Sequence, residues 1–93
     1  MDATTFLAGP ISAAEPPSLR ALWHMAQGDW QHAHSEIDDG EDPDSMWVHA
    51  HLHRVEGDAV NAAYWYRMAG KPVYKGSFQT EQEEMLATLL SAR

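Results

Sequence analysis

The stretch from Asp44 to Pro72, DSMWVHAHLHRVEGDAVNAAYWYRMAGKP, decides how the chain folds. Apolar side chains at Met46, Trp47, Ala50, Leu52 and Val55 predict a helix that starts near Asp44 and ends at Gly57. Asp58 follows at once and is a natural cap for another helix. In that second helix Ala62, Trp65, Tyr66 and Ala69 fall at i, i+3, i+4 and i+7, on one face. Gly70 and Pro72 close it, glycine by accepting a left-handed backbone and proline by lacking an N–H.

The same grammar appears upstream. Ser18, after Pro16 and Pro17, reads as an N-cap, and Leu19, Leu22, Trp23 and Ala26 form an apolar stripe. Gly28 ends that helix, and Asp29 caps the next, with Trp30, Ala33 and Ile37 on one face. The steps Gly28-Asp29 and Gly57-Asp58 lie 29 residues apart. At that offset Trp23 falls on Leu52, His24 on His53, Ala33 on Ala62 and Ile37 on Tyr66.

The second half resembles a tetratricopeptide (TPR) unit, whose pattern is W-x2-L-G-x2-Y, then A-x3-F, then P. The chain has Met46-x2-His49-Ala50-x2-His53, then Ala62-x3-Tyr66, then Ala69 and Pro72. The run from Asn61 to Gly70 is also similar to Sel1-type repeats, and residues 47–70 to small uncharacterised bacterial proteins. The resemblance covers about residues 18–72. It implies an all-α fold of two TPR-like helix-turn-helix hairpins plus a C-terminal capping helix. The repeat is shorter than the ~34 residues of the family, and two units are fewer than the three or so that make a stable solenoid. A terminal cap, or a homodimer covering an exposed end, is therefore expected.

Outside the repeat, residues 1–17 carry Gly9, Pro10, Pro16 and Pro17 and read as an extended lead-in, with residues 18–93 a single domain. Asp38-Asp39-Gly40-Glu41-Asp42-Pro43-Asp44 is a solvated acidic turn that fits a calcium loop poorly. After a loop with Val73, Tyr74 and Phe78, Thr80-Glu81-Gln82-Glu83 reads as a capping box. Behind it Met85, Leu86, Leu89 and Leu90 form the apolar side of a final helix.

Composition narrows the function classes. The net charge of −8 and only 6 scattered Lys and Arg argue against a nucleic-acid surface and against anionic lipid. No apolar run approaches a membrane span, and no signal peptide is evident, so a cytoplasmic location is expected. With no cysteine, thiolate catalysis and cysteine-ligated metals are excluded.

Five of the six histidines fall in two groups, His32 with His34, and His49, His51 and His53; His24 stands alone. His49 and His53 share a helix face, with His51 opposite. The TPR alignment sets His49, His53 and His24 at core positions. Buried imidazoles need partners for both ring nitrogens, which three arrangements address differently. They form a hydrogen-bonded network with Tyr64, Tyr66, Asn61 or Glu56, or they lie on the surface by accident. In the third, His49 and His53, joined by His24 or Glu56, bind a divalent transition metal such as zinc, nickel or copper. His32 and His34 are expected near the surface without a special role.

A second candidate surface follows from the resemblance, which implies a groove lined by Trp47, His51 and Arg54, with Leu22 and Met25. Arg and Trp are frequent hot-spot residues for protein or peptide partners. Core packing of Trp47 and solvation of Arg54 is the competing account. Tyr64, splayed from Trp65 and Tyr66, is a further candidate contact. The sequence thus supports a protein-interaction or scaffolding module first and a His-rich metal-binding protein second. Acid–base chemistry by a pair such as His53 and Glu56 comes last, because no nucleophile motif or phosphate loop accompanies it.

Overall fold

Five helices of the computed structural model, which describes residues 1–93, begin at a side chain that caps the backbone N–H three positions on. The caps are Asp2 to Thr5, Asp29 to His32, Asp42 to Ser45, Asp58 to Asn61 and Ser77 to Thr80. Each is worth about 1 kcal/mol against alanine. The helices are α1 (Ala3–Ala8), α2 (Pro17–Ala26), α3 (Trp30–Ile37), α4 (Pro43–Val55), α5 (Ala59–Ala69) and α6 (Phe78–Ala92). The remaining helix, α2, starts on Pro17, whose missing N–H removes one donor that would need a cap. Ser18, expected as that cap, is buried inside the helix instead.

The 29-residue offset is visible in the backbone. Asp29 has φ −97 and ψ 76, and Asp58 has φ −96 and ψ 77. Asp29 donates its N–H to the His24 carbonyl, and Asp58 to that of His53, each at 2.9 Å. Gly28 and Gly57 precede them at φ 81 and 85, a left-handed conformation that a Cβ disfavours. The chain therefore makes the same tight turn twice, and α2 packs on α3 as α4 packs on α5.

The main core joins five helices. Phe6 of α1, Leu19, Leu22 and Met25 of α2, Ala33 and Ile37 of α3, Val48 and Leu52 of α4, and the Met85–Leu90 stripe of α6 meet there. A smaller cluster of Ala50, Ala62 and Tyr66 ties α5 to α4. Backbone-level packing of α5 is with α4 alone, α6 being reached only through the Tyr66 side chain, so α5 forms the open edge of the array.

Two local expectations are revised. Residues 1–17 are not simply extended: Asp2 caps a short helix whose Phe6 is 5% exposed in the main core. The Trp23 indole N–H donates to the Gly9 carbonyl at 2.9 Å, and Arg20 donates to the carbonyls of Ala13 and Glu15. The lead-in is thereby fastened across α2. The last helix starts earlier than the Thr80 capping box, because Ser77 supplies the capping hydroxyl. Glu81 is then free for a different use in the interior.

Candidate metal centre

Three imidazoles converge where α3 crosses α4. His34 comes from the last turn of α3, and His49 and His53 are one turn apart on α4. One ligand atom from each lies within 4.8 Å of the other two. The His49 and His53 rings are near parallel, 4.8 Å apart at 16°, and His34 stands edge-on to both. The Nε2 atoms of His34 and His49 are 3.1 Å apart.

These nitrogens are incompletely satisfied by the protein. His34 and His49 share one hydrogen bond, while Nδ1 of His49 and Nδ1 of His53 are buried with no hydrogen-bond partner. A buried unpaired polar atom costs about 1–3 kcal/mol. Burial pushes the His49 imidazole down to about 4, helped by His53 and His34 beside it, so at neutral pH the ring is uncharged. A neutral imidazole is the ligating form.

Carboxylates ring the cluster. Asp38 Oδ1 lies 3.6 Å from His34 Nε2, on the side where that ring meets His49. Glu56 faces the opposite nitrogens, with Oε1 3.9 Å from His34 Nδ1 and Oε2 3.6 Å from His53 Nδ1. Asp58 Oδ2 is 3.9 Å from His53 Nδ1. Ligating histidines commonly offer their second N–H to a carboxylate, which fixes the tautomer and raises ring basicity. Tetrahedral zinc with bonds of 2.0–2.1 Å sets its ligands roughly 3.3 Å apart, close to the His34–His49 separation. The donor set suits a borderline divalent metal, with Asp38 near enough to close a fourth position.

The structure divides the sequence candidates. His49 and His53 do come together, but His24 does not join them and is grouped with His32 and Asp29. His34, expected to need no role, takes the third place. Its signal was its position beside the Ala33–Ile37 stripe, where a helix side chain meets the neighbouring helix.

His51 and Arg54 do not line an open groove. His51 is fully buried and its Nδ1 donates to Glu81 Oε1 at 2.5 Å. The Tyr66 hydroxyl donates to Glu81 Oε2, and Arg54 Nη1 to Oε1 at 3.2 Å. The other Arg54 amine donates to the Gly76 carbonyl, and the guanidinium sits 4.7 Å over Phe78. Burial raises the Glu81 carboxyl, but hydrogen bonds from His51 and Tyr66, with the Arg54 guanidinium beside them, outweigh it, leaving Glu81 below its usual value. Burial, then the bond to Glu81, pushes the Tyr66 phenol well above its ordinary range. A carboxylate this far from water needs that many donors, which explains why both groove candidates turn inward.

Trp47 is partly buried between the two core clusters, with the Lys71 ammonium 4.3 Å over its ring. Tyr64 is exposed and meets Trp65 edge-on. Trp65 lies parallel to His49, ring centres 4.1 Å apart, and so forms part of the histidine cluster's wall. No helix is long and apolar enough to cross a membrane. No family model matches the chain, and comparison with curated proteins and with solved structures finds no match.

Proposed function

We propose that this chain is a small metal-binding protein that holds one divalent transition ion, zinc foremost, between α3 and α4. The observation that carries this reading is the convergence of His34, His49 and His53 with their ligand atoms within 4.8 Å. The ion would accept the lone pairs of three neutral imidazoles, with the Asp38 carboxylate on the same side and Glu56 orienting His34 and His53 from behind. Bound there, it joins the first helix pair to the second, so metal loading and the association of the two halves are one equilibrium.

The test is metal content of the untagged protein by mass spectrometry, with thermal melts of chelator-treated protein plus and minus zinc, nickel and copper. Near-stoichiometric metal and a raised melt, both abolished by His34→Ala, are the expected results. An unchanged melt at saturating metal would sink the reading.

A second reading is a TPR-like protein-interaction module. It is favoured by α5, which packs chiefly on α4 yet exposes Val60, Tyr64 and Met68 at i, i+4 and i+8. Of the candidate binding residues, Tyr64 serves this surface, whereas His51 and Arg54 are engaged internally. A homodimer through α5 is its simplest form. Sedimentation would show a dimer that Tyr64→Glu dissociates without loss of helicity; a monomer at high concentration removes that form.

A further inference from the structure

A second group of potential ligands lies at the first Gly-Asp turn, clear of the α3–α4 cluster. His24 from the last turn of α2 and His32 from the first turn of α3 stack face to face, centres 3.7 Å apart and planes inclined by 16°. Asp29, in the turn between them, splits its carboxylate: Oδ1 accepts the His32 backbone N–H, and Oδ2 stands 3.6 Å from His32 Nδ1. One oxygen is thus fixed by helix capping and the other is held against an imidazole nitrogen. Glu36 approaches the same ring from the far side, with Oε1 3.6 Å from His32 Nε2, while its Oε2 is bound by Arg20.

Each ring nitrogen of His32 therefore faces a carboxylate oxygen at 3.6 Å. An ion at Nδ1 would be shared between that nitrogen and Asp29 Oδ2, while Glu36 faces Nε2 and holds the ring from behind. With His24 stacked on the ring, two imidazoles and one carboxylate offer ligand atoms within 4.8 Å of one another. The local charge, Asp29 and Glu36 against Arg20, is net negative and attracts a cation.

We infer that His24, Asp29 and His32 form a second, solvent-accessible site for a divalent zinc- or copper-like ion, with Glu36 positioning His32. The site differs in kind from the α3–α4 centre. His32 is half-exposed, and His24 and His32 border an open groove of about 490 Å³ walled by Arg20, Glu36 and the 11–13 segment. Three protein ligands beside an open groove leave coordination positions to water, so the ion exchanges readily rather than serving as a structural staple. The inference does not depend on the proposed α3–α4 centre, since the two sites share no ligand.

The test is a zinc titration of the chelator-stripped full chain against a chromophoric competitor, read as equivalents bound. Wild type should take up two equivalents, the second about tenfold weaker or more. The variant pair His24→Gln and His32→Gln should lose that weaker equivalent. Asp29→Ser, which keeps a capping oxygen but removes the carboxylate ligand, should weaken it with little change in the metal-free melt. His34→Gln should instead remove the tighter equivalent. A single equivalent lost in the His24/His32 variant and kept in His34→Gln would support this site and overturn the α3–α4 centre. If the His24/His32 variant binds as much zinc as wild type, at the same affinities, the second site does not exist.

Discussion

The Trp65 indole and the His49 imidazole lie parallel, 4.1 Å between centres and 15° between planes, although they sit on different helices. An ion held by His49 is therefore in near contact with a fluorophore. Copper or nickel at the α3–α4 centre should quench part of the tryptophan emission. Trp65→Phe should remove that part and leave the signal of the other three tryptophans unaffected. Equal fractional quenching in both proteins would place the metal elsewhere.

Stability of the metal-free chain should depend on pH in a defined direction. The folded His49 titrates at about 4, below the 6.5 of a free imidazole, so the unfolded chain takes up the proton first as pH falls. Its contribution is complete above pH 6.5 and is lost progressively down to about pH 4, roughly 3 kcal/mol over that span. Burial and the neighbouring His32 lower His24 as well, which adds in the same direction. Glu81, held below its usual value, adds loss only at more acidic pH. Melts in urea from pH 7.5 to 5 should decline, and His49→Gln should flatten the decline; parallel curves for the two proteins would contradict it.

Carboxylates around the cluster should set affinity without setting the fold. Asp38→Asn and Glu56→Gln remove exposed or half-exposed charges and leave the core intact. Each should weaken zinc about 10- to 100-fold in a competition assay while shifting the metal-free melt little. Affinity within twofold of wild type for both would show that the histidines act without them.

The Glu81 network predicts unequal costs for its members. Glu81→Gln takes the carboxylate from a buried network that holds His51, Tyr66 and the part-buried Arg54 guanidinium, and should destabilise by about 3–5 kcal/mol in chemical denaturation. Tyr66→Phe removes one donor and should cost about 1–3 kcal/mol. A smaller loss for Glu81→Gln than for Tyr66→Phe would mean that the carboxylate is dispensable.

Docking of the N-terminal segment can be weighed through one ring. Phe6→Ala should cost about 3–5 kcal/mol if α1 belongs to the main core, since Phe6 packs there against α2 and α6. A change under 1 kcal/mol would show that the N-terminal segment adds little to the main core.

Much of the fold was legible because its signals are local. Gly28, Gly57 and Gly70 do adopt positive φ, and Asp29 and Asp58 do cap the helices behind them. These depend on neighbours a few residues away, which a single sequence displays. The site was half legible for the complementary reason. Spacing alone puts His49 and His53 on one face, but the third imidazole is chosen by how α3 crosses α4, a long-range choice that brings His34 rather than His24. The inward turn of His51 and Arg54 depended on Glu81, 30 and 27 residues further on and disguised as part of a capping box. No local pattern pairs residues at such separations.

Glu81 also bears on how α6 knows where to stop sliding. A stripe of Met85, Leu86, Leu89 and Leu90 is nearly self-similar after one turn, so greasy contact by itself tolerates a shift of register. A buried carboxylate that must meet an imidazole, a phenol and a guanidinium tolerates none. The final helix is keyed to its seat like a lock with a single notch, and removing the notch should broaden the ensemble before it unfolds the protein.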